Sequence, residues 1–368
     1  MGLFFVNAGF LSLLAALEFI PVASQPDRRC ASKKLLLVIG LSYLCFLAMF
    51  RGAACGNDTA DYIEFFRKIE TQTTLRAAIR CTSFEPLFTA IVFLLTRLTG
   101  NVQPLFIVTA LFSFSVTGRF FLRYSRKPCL SMYLFFTLQV FDFYISGLRQ
   151  VLAIAVLLLA YEAVDRKRNI RALLLILLSG LLHRTAWVAF PVFILLKIKK
   201  RRTFVWVTGA ASLLCLAGSR WLVRGVASLF PRYQMYYGSS YLQSGAKLSL
   251  ILYFLVYTLM LLAGELLRER PDAPDCSARD EMDFRLSFLL LPVCVMGYAM
   301  PIFSRVLQYF QVYLCVYFAN RLSRKAGRNW QLLLICSMAA FAIYAFTIHL
   351  LRTPEWYTTY PFVFCWNN

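Results

Sequence analysis

Apolar runs of about 15 to 22 residues recur along the whole chain, separated by short stretches rich in Lys and Arg, and nothing else in the sequence narrows the fold so far. A bilayer core about 30 Å thick is crossed by about 20 helical residues, so such a chain reads as an all-α polytopic integral membrane protein. Composition agrees: 60% of residues are hydrophobic and 15% charged, where a soluble domain has about 45 to 50% and about a quarter. The formal charge of +21 would suggest a nucleic-acid partner in a polar chain. Here the apolar runs exclude a soluble DNA binder, a cytosolic enzyme and a disordered tail. The runs predict about 12 to 13 membrane helices, one of them re-entrant or half-length, in a single multi-pass domain spanning residues 1–368.

The run from Leu3 to Ile20 has no basic residue ahead of it and no small-residue cleavage pattern after it, so it reads as a span and not as a cleaved signal. Basic clusters mark the cytoplasmic side, because Lys and Arg in short loops resist translocation. Arg28, Arg29, Lys33 and Lys34 form the first; others centre on Arg126, Arg168, Lys200 and Arg324. The mixed-charge stretch near 265–285 joins them inside. The stretches near 51–84 and 220–246 are then outer loops, the second carrying Arg220, Arg224, Arg232, Tyr233, Tyr236, Tyr237 and Tyr241. A tail with Glu355, Trp356 and Tyr357 ends outside as well.

Between inner anchors the chain must turn at the far face, and breakers show where. The turns fall at Gly147–Gln150, at His183–Thr185 and at Pro301–Arg305. Each leg beside His183 is about 12 residues, about 18 Å of helix, which is short of the bilayer core and places His183 in a depression. Glu85 to Leu98 is likewise short and reads as a re-entrant or interfacial half-helix, tolerated where protein or a wet cavity shields its ends. His349 falls near the end of the last span and reads as interfacial. The 11 cysteines are scattered without C-x-x-C spacing, which gives neither a zinc site nor a disulfide framework. Cys55 and Cys81 share one loop and could pair in an oxidising space.

The outer half collects ionisable and polar side chains from separate segments: Arg51, Asp58, Asp61, Tyr62, Glu85, Arg149, Gln150, His183, Arg184 and Arg305. Such groups at membrane depth usually mark a ligand path or site. Arg149, Arg184 and Arg305 offer forked donors suited to phosphate oxygens, so a lipid-linked pyrophosphate is a natural substrate class. The plainer reading is that each arginine reaches lipid headgroups or pairs with a carboxylate. His183 could take a proton from a sugar hydroxyl, or could simply hydrogen-bond a carbonyl at a helix break. Asp58 and Asp61 lie one turn apart and, with Tyr62, Phe65 and Phe66, give a half-apolar stripe suited to the membrane surface and to sugars. A solvated amphipathic helix would give the same pattern. No cofactor motif is present, and a divalent metal is left open.

The order of the pieces resembles the EpsG family of bacterial exopolysaccharide membrane proteins, which are similar to Wzy-like repeat-unit polymerases. The pieces are Arg51; Gly56-Asn57-Asp58 with Tyr62 and Phe65; Glu85-Pro86-Leu87-Phe88; Gly147-Leu148-Arg149-Gln150 with Ala153; His183-Arg184-Thr185-Ala186; and Ser304-Arg305 with Tyr309-Phe310. Gly147 stands where the family usually has Asn, so no sugar contact is assigned there. The resemblance implies a glycosyltransferase that joins polyprenyl-pyrophosphate-linked oligosaccharide units, donor and acceptor, at the extracytoplasmic face of the bacterial inner membrane. A flippase and a chain-length regulator are the partners it implies, and no nucleic acid. His183 and Asp58 are the candidate bases; Arg51, Asp61, Tyr62, Glu85, Arg149, Gln150, Arg184, Arg305 and Tyr309 are the candidate substrate contacts. The early half also looks like the first part of GT-C glycosyltransferases, an analogy of fold. A lipid-linked oligosaccharide transporter and a membrane O-acyltransferase are the alternative readings.

Overall fold

The computed structural model of the chain describes residues 2–20, 26–218, 221, 244–268, 274–299, 301–323, 328–352 and 359–366. Arg220, Arg224, Arg232 and the tyrosines at 233, 236, 237 and 241 lie outside the described residues, as do Glu355, Trp356 and Tyr357. The fold is all-α and polytopic, and no strand occurs among the described residues beyond one isolated bridge between Arg51 and Phe364. Four helices are long and apolar enough to cross a membrane, Ala31–Met49, Gln103–Tyr124, Leu248–Leu266 and Leu334–Leu351, and a bent pair makes a fifth. Shorter apolar helices include Gly2–Leu17, in the run read as the first span, and Pro86–Leu98 and Asn169–Leu182, both expected to be short.

The chain packs as two compact units, Met1–Phe190 with Lys325–Asn368, and Pro191–Arg324. The first contains α1 (Gly2–Leu17), α2 (Pro26–Met49), α3 (Thr59–Glu70), α4 (Leu75–Arg80), α5 (Pro86–Leu98), α6 (Gln103–Tyr124), α7 (Pro128–Thr137), α8 (Val140–Ser146), α9 (Leu148–Asp165) and α10 (Asn169–Leu182). At 22 residues, α6 is about 33 Å long and matches the bilayer core. It packs on α2 and α9, α9 packs on α10, and α3 and α4 lie on α5.

The first loop is largely helical. Gly56, at φ +83°, makes the left-handed turn that a side chain would resist, and α3 follows with Tyr62, Phe65, Phe66 and Ile69 buried on one face and Asp61 exposed. The expected amphipathic stripe is therefore present, with its apolar side packed on α5. The Cys55–Cys81 pairing is not: both thiols are free, Cys55 Sγ donating to the Val363 carbonyl at 3.2 Å and Cys81 Sγ to that of Ala78 at 3.2 Å. Local carbonyls satisfy each thiol separately.

Between α7 and α8 the helix bends by 66°, at Gln139, whose φ of +63° breaks the ladder inside an apolar run. The turn at Gly147 follows as expected, because a Cβ there would come within 2.7 Å of the Phe143 ring. One turn past the bend, fully buried Asp142 faces Nε2 of His349 at 3.4 Å, on α17 (Arg328–Arg352). His349 is thus enclosed by protein near the end of its span. It is 6% exposed and ringed by Phe4 and Tyr360.

The second unit begins in α11 (Ala189–Leu195) and holds α12 (Arg201–Ala217), α13 (Ser244–Leu266), α14 (Pro274–Phe288), α15 (Leu290–Ala299) and α16 (Gln308–Leu322). The polar stretch near 265–285, read as a loop, is helical from Pro274. Arg285 explains its order: it pairs with Glu281 one turn back at 2.8 Å and donates to the carbonyls of Leu196, Ile198 and Lys199. Arg321 is buried against Asp280 at 3.0 Å.

Candidate functional site

Three segments of the first unit meet at one carboxylate. Glu85 precedes Pro86, and a residue before proline is pushed out of the helical region, so Glu85 is extended at φ −67°, ψ 143° and makes no cap bond to its own helix. Its side chain turns to other segments instead. Oε2 accepts a hydrogen bond from Arg149 Nη1 at 2.6 Å, and Oε1 accepts one from the Arg184 backbone N–H at 3.1 Å and stands 3.4 Å from His183 Nδ1. Glu85 is 4% exposed.

The other two segments deliver these donors for local reasons. α10 ends at Leu182, His183 is extended at φ −156°, and a 3-10 turn runs from Arg184 to Val188. The break frees the Arg184 N–H to reach Glu85, and the Arg184 guanidinium donates to the Ser83 carbonyl at 3.2 Å. Arg149 occupies the first turn of α9, where a backbone N–H has no partner within the helix. That N–H points to the Tyr62 hydroxyl at 3.5 Å, and the guanidinium lies over the Phe84 ring, 3.7 Å from its centroid. Phe84 meets Phe65 at 4.4 Å, and Tyr62 is edge-on to Phe88 at 5.8 Å. Four aromatic rings thus wall one side of the ion pairs and lower the local dielectric, which strengthens them.

Burial alone would push the Glu85 carboxyl up, but the neighbouring His183 imidazole and the Arg149 charge outweigh it and hold the group down at about 2. Burial pushes the Tyr62 phenol above its ordinary value, with Arg149 opposing and Asp58 adding to the rise. Asp58 therefore acts electrostatically on the edge of this cluster. It is the N-cap residue of α3, half-buried, and makes no side-chain cap bond. Asp61 is exposed in the first turn of the same helix, and Gln150 is buried beside Arg149.

Arg51 takes a bracing position. It is 1% exposed, donates to the carbonyl of Ala48 at 2.5 Å and to the Thr59 hydroxyl at 3.3 Å, and lies 4.2 Å over the Phe106 ring. It ties the end of α2 to the start of α3. Arg305, at the end of the 3-10 turn Pro301–Arg305, and Tyr309, buried in the first turn of α16, both belong to the second unit. No group of three or more His, Cys, Asp and Glu side chains able to hold a metal ion occurs among the described residues.

The cluster's donors are all sequence candidates, but its organisation was not foreseen: Glu85 is the hub and not one contact among many. The Asp142–His349 pair was missed altogether. An acid inside the apolar stretch Val140–Ile145 was the available signal, since a carboxylate at membrane depth demands a partner.

Residues 34–364 match the family model described as the EpsG family. No curated protein and no solved structure matches the chain.

Proposed function

The chain belongs to the EpsG family of exopolysaccharide-related membrane proteins, and on that premise we propose that it is a polysaccharide polymerase acting on polyprenyl-pyrophosphate-linked repeat units. Its site faces the extracytoplasmic side of a bacterial cytoplasmic membrane. An acceptor hydroxyl oxygen bonds to the anomeric carbon of the donor glycan, the bond from that carbon to the pyrophosphate oxygen breaks, and the pyrophosphate leaves with the bonding pair. The acceptor proton passes to a base.

One observation carries this reading: a single buried carboxylate gathers Arg149, His183 and Arg184 from segments far apart in sequence. Glu85 fixes the Arg149 fork, and Arg149 Nε is buried without a hydrogen-bond partner, a donor suited to an anion. A guanidinium held in a dry, aromatic wall stabilises charge that develops on a leaving pyrophosphate without reorganising. Glu85 beside His183 Nδ1 favours the tautomer that leaves Nε2 as the basic nitrogen, the same logic by which a carboxylate orients a catalytic imidazole. His183 is accordingly the base, and Asp58, acting through Tyr62, orients a sugar. A flippase and a length regulator act alongside.

Purified protein in lipid, given only a lipid-linked repeat unit, tests the proposal. Longer glycans are expected. Unchanged glycan moved across the bilayer would replace the polymerase with a transporter, and no product in either form would reject both.

A further inference from the structure

The far end of α9 carries a second arginine cluster that the polymerase chemistry does not use. Arg119 Nη2 and Nε reach the two oxygens of Glu162 at 2.8 and 3.2 Å, while Arg123 Nη1 and Arg166 Nη2 reach its Oε1 at 3.2 and 2.7 Å. Three guanidiniums on one carboxylate leave two charges uncompensated. Over residues 119–127 and 162–171 there are eight Lys and Arg against two acids, Glu162 and Asp165, and Asp165 already accepts the Tyr124 hydroxyl at 3.1 Å.

The place of the cluster says what it meets. Arg119 and Arg123 lie in the last two turns of α6, one of the spanning helices, and Glu162 lies in the last turn of α9, whose first turn holds Arg149. Thirteen residues of rise put Glu162 about 20 Å along the axis from Arg149, at the opposite end of α9 and beside the end of the spanning helix α6. The arginine side chains are 57%, 34% and 36% exposed, whereas that of Glu162 is 11% exposed. The carboxylate therefore gathers three forked donors at headgroup depth and cannot occupy them all: a carboxylate offers about four acceptor sites to the five N–H groups of each guanidinium. A planar fork matches phosphate oxygens, and basic clusters between helix ends attract anionic lipids.

We propose that Arg119, Arg123 and Arg166 form a binding site for the phosphate of an anionic phospholipid headgroup, preorganised by Glu162. Glu162 plays two parts with opposite consequences. It holds the arginines together, and it competes with the lipid for their charge.

The test is native mass spectrometry of the full-length protein titrated with phosphatidylglycerol or phosphatidylcholine of the same acyl chains. The wild type should retain phosphatidylglycerol preferentially, and Arg119→Gln with Arg166→Gln should reduce that preference by about fivefold for each arginine. Glu162→Gln should raise it, because a competitor is removed while the cations remain. Equal retention of both lipids by the wild type would overturn the proposal. So would variants that shift unfolding temperature together and leave lipid preference unchanged, since the arginines would then serve only to neutralise Glu162. A third arm adds undecaprenyl phosphate; its displacement of phosphatidylglycerol at equal concentration would replace the phospholipid by a polyprenyl lipid as the occupant.

Discussion

The chain has two histidines, and each stands 3.4 Å from a buried carboxylate: His183 from Glu85 and His349 from Asp142. The pairs share residue types and spacing, and their surroundings part them. Glu85 also takes Arg149 and the Arg184 N–H at the junction of three helix ends. Asp142 sits in the first turn of α8, with Phe4 and Tyr360 packed on its histidine and Tyr360 in turn accepting a hydrogen bond from Asn7 at 2.8 Å. At Glu85 the helix ends bring an unsatisfied backbone N–H and a guanidinium to the carboxylate; at the second pair aromatic rings pack on the imidazole instead. The same acid–imidazole pair thus becomes a charged hub in one place and a packing lock in the other.

The largest difference between the two should appear on removing the hub's cation. Arg149→Ala should leave the protein inserted and monodisperse but reduce chain lengthening by about 100- to 1,000-fold, the range for losing one preorganised donor to developing charge. Polymer of normal length from this variant would remove Arg149 from the reaction. His183→Gln should follow, with a loss of about 100-fold, the lower end for a general base, and with loss of the acid limb of the pH–rate profile. If that limb survives, the base lies elsewhere and Asp58 is the next residue to replace.

For the lock, the expected readout is stability. His349→Ala strips the partner from a fully buried Asp142 and should cost about 3 to 5 kcal/mol, seen as a lower unfolding temperature in detergent. Replacing both residues by leucine should recover most of that loss, because an apolar pair of similar size needs no desolvation of charge. The activity of the folded fraction should be unchanged in both variants. A loss of specific activity in the stable double variant would make the second pair functional as well and erase the contrast.

How far the sequence reveals each region follows from the range of the forces involved. The break at His183, the 3-10 turn at Pro301–Arg305 and the buried stripe of α3 were legible because proline, a polar triplet and apolar periodicity act within one or two turns. The bend at Gln139 was not: glutamine is neither a usual breaker nor charged, and its left-handed conformation is imposed by what packs around it. Arg51 was legible as a cation between apolar runs, but its surroundings were not: the Ala48 carbonyl, the Thr59 hydroxyl and the Phe106 ring come to it through tertiary packing. Asp142 and His349 meet only through the packing of α17 on α7. The members of the Glu85 hub could be named one by one, but the identity of the hub depended on the extended backbone that Pro86 gives Glu85, a geometric fact about one residue.

The smallest expected effect concerns acid. Because the Glu85 carboxyl is held at about 2 in the fold, below its ordinary 4.5, the folded state binds fewer protons there than the unfolded chain between those values. The stabilisation is therefore complete above about pH 4.5, declines as pH falls, and is gone below about pH 2. The unfolding temperature of the wild type should exceed that of Glu85→Gln by a constant margin from pH 5 to 8, and the margin should shrink on acidification to pH 3. A margin that instead grows toward acid would mean that Glu85 is protonated in the fold. It would then donate to its neighbours instead of gathering them, and the contrast between a charged hub and a packing lock would fail at its first residue.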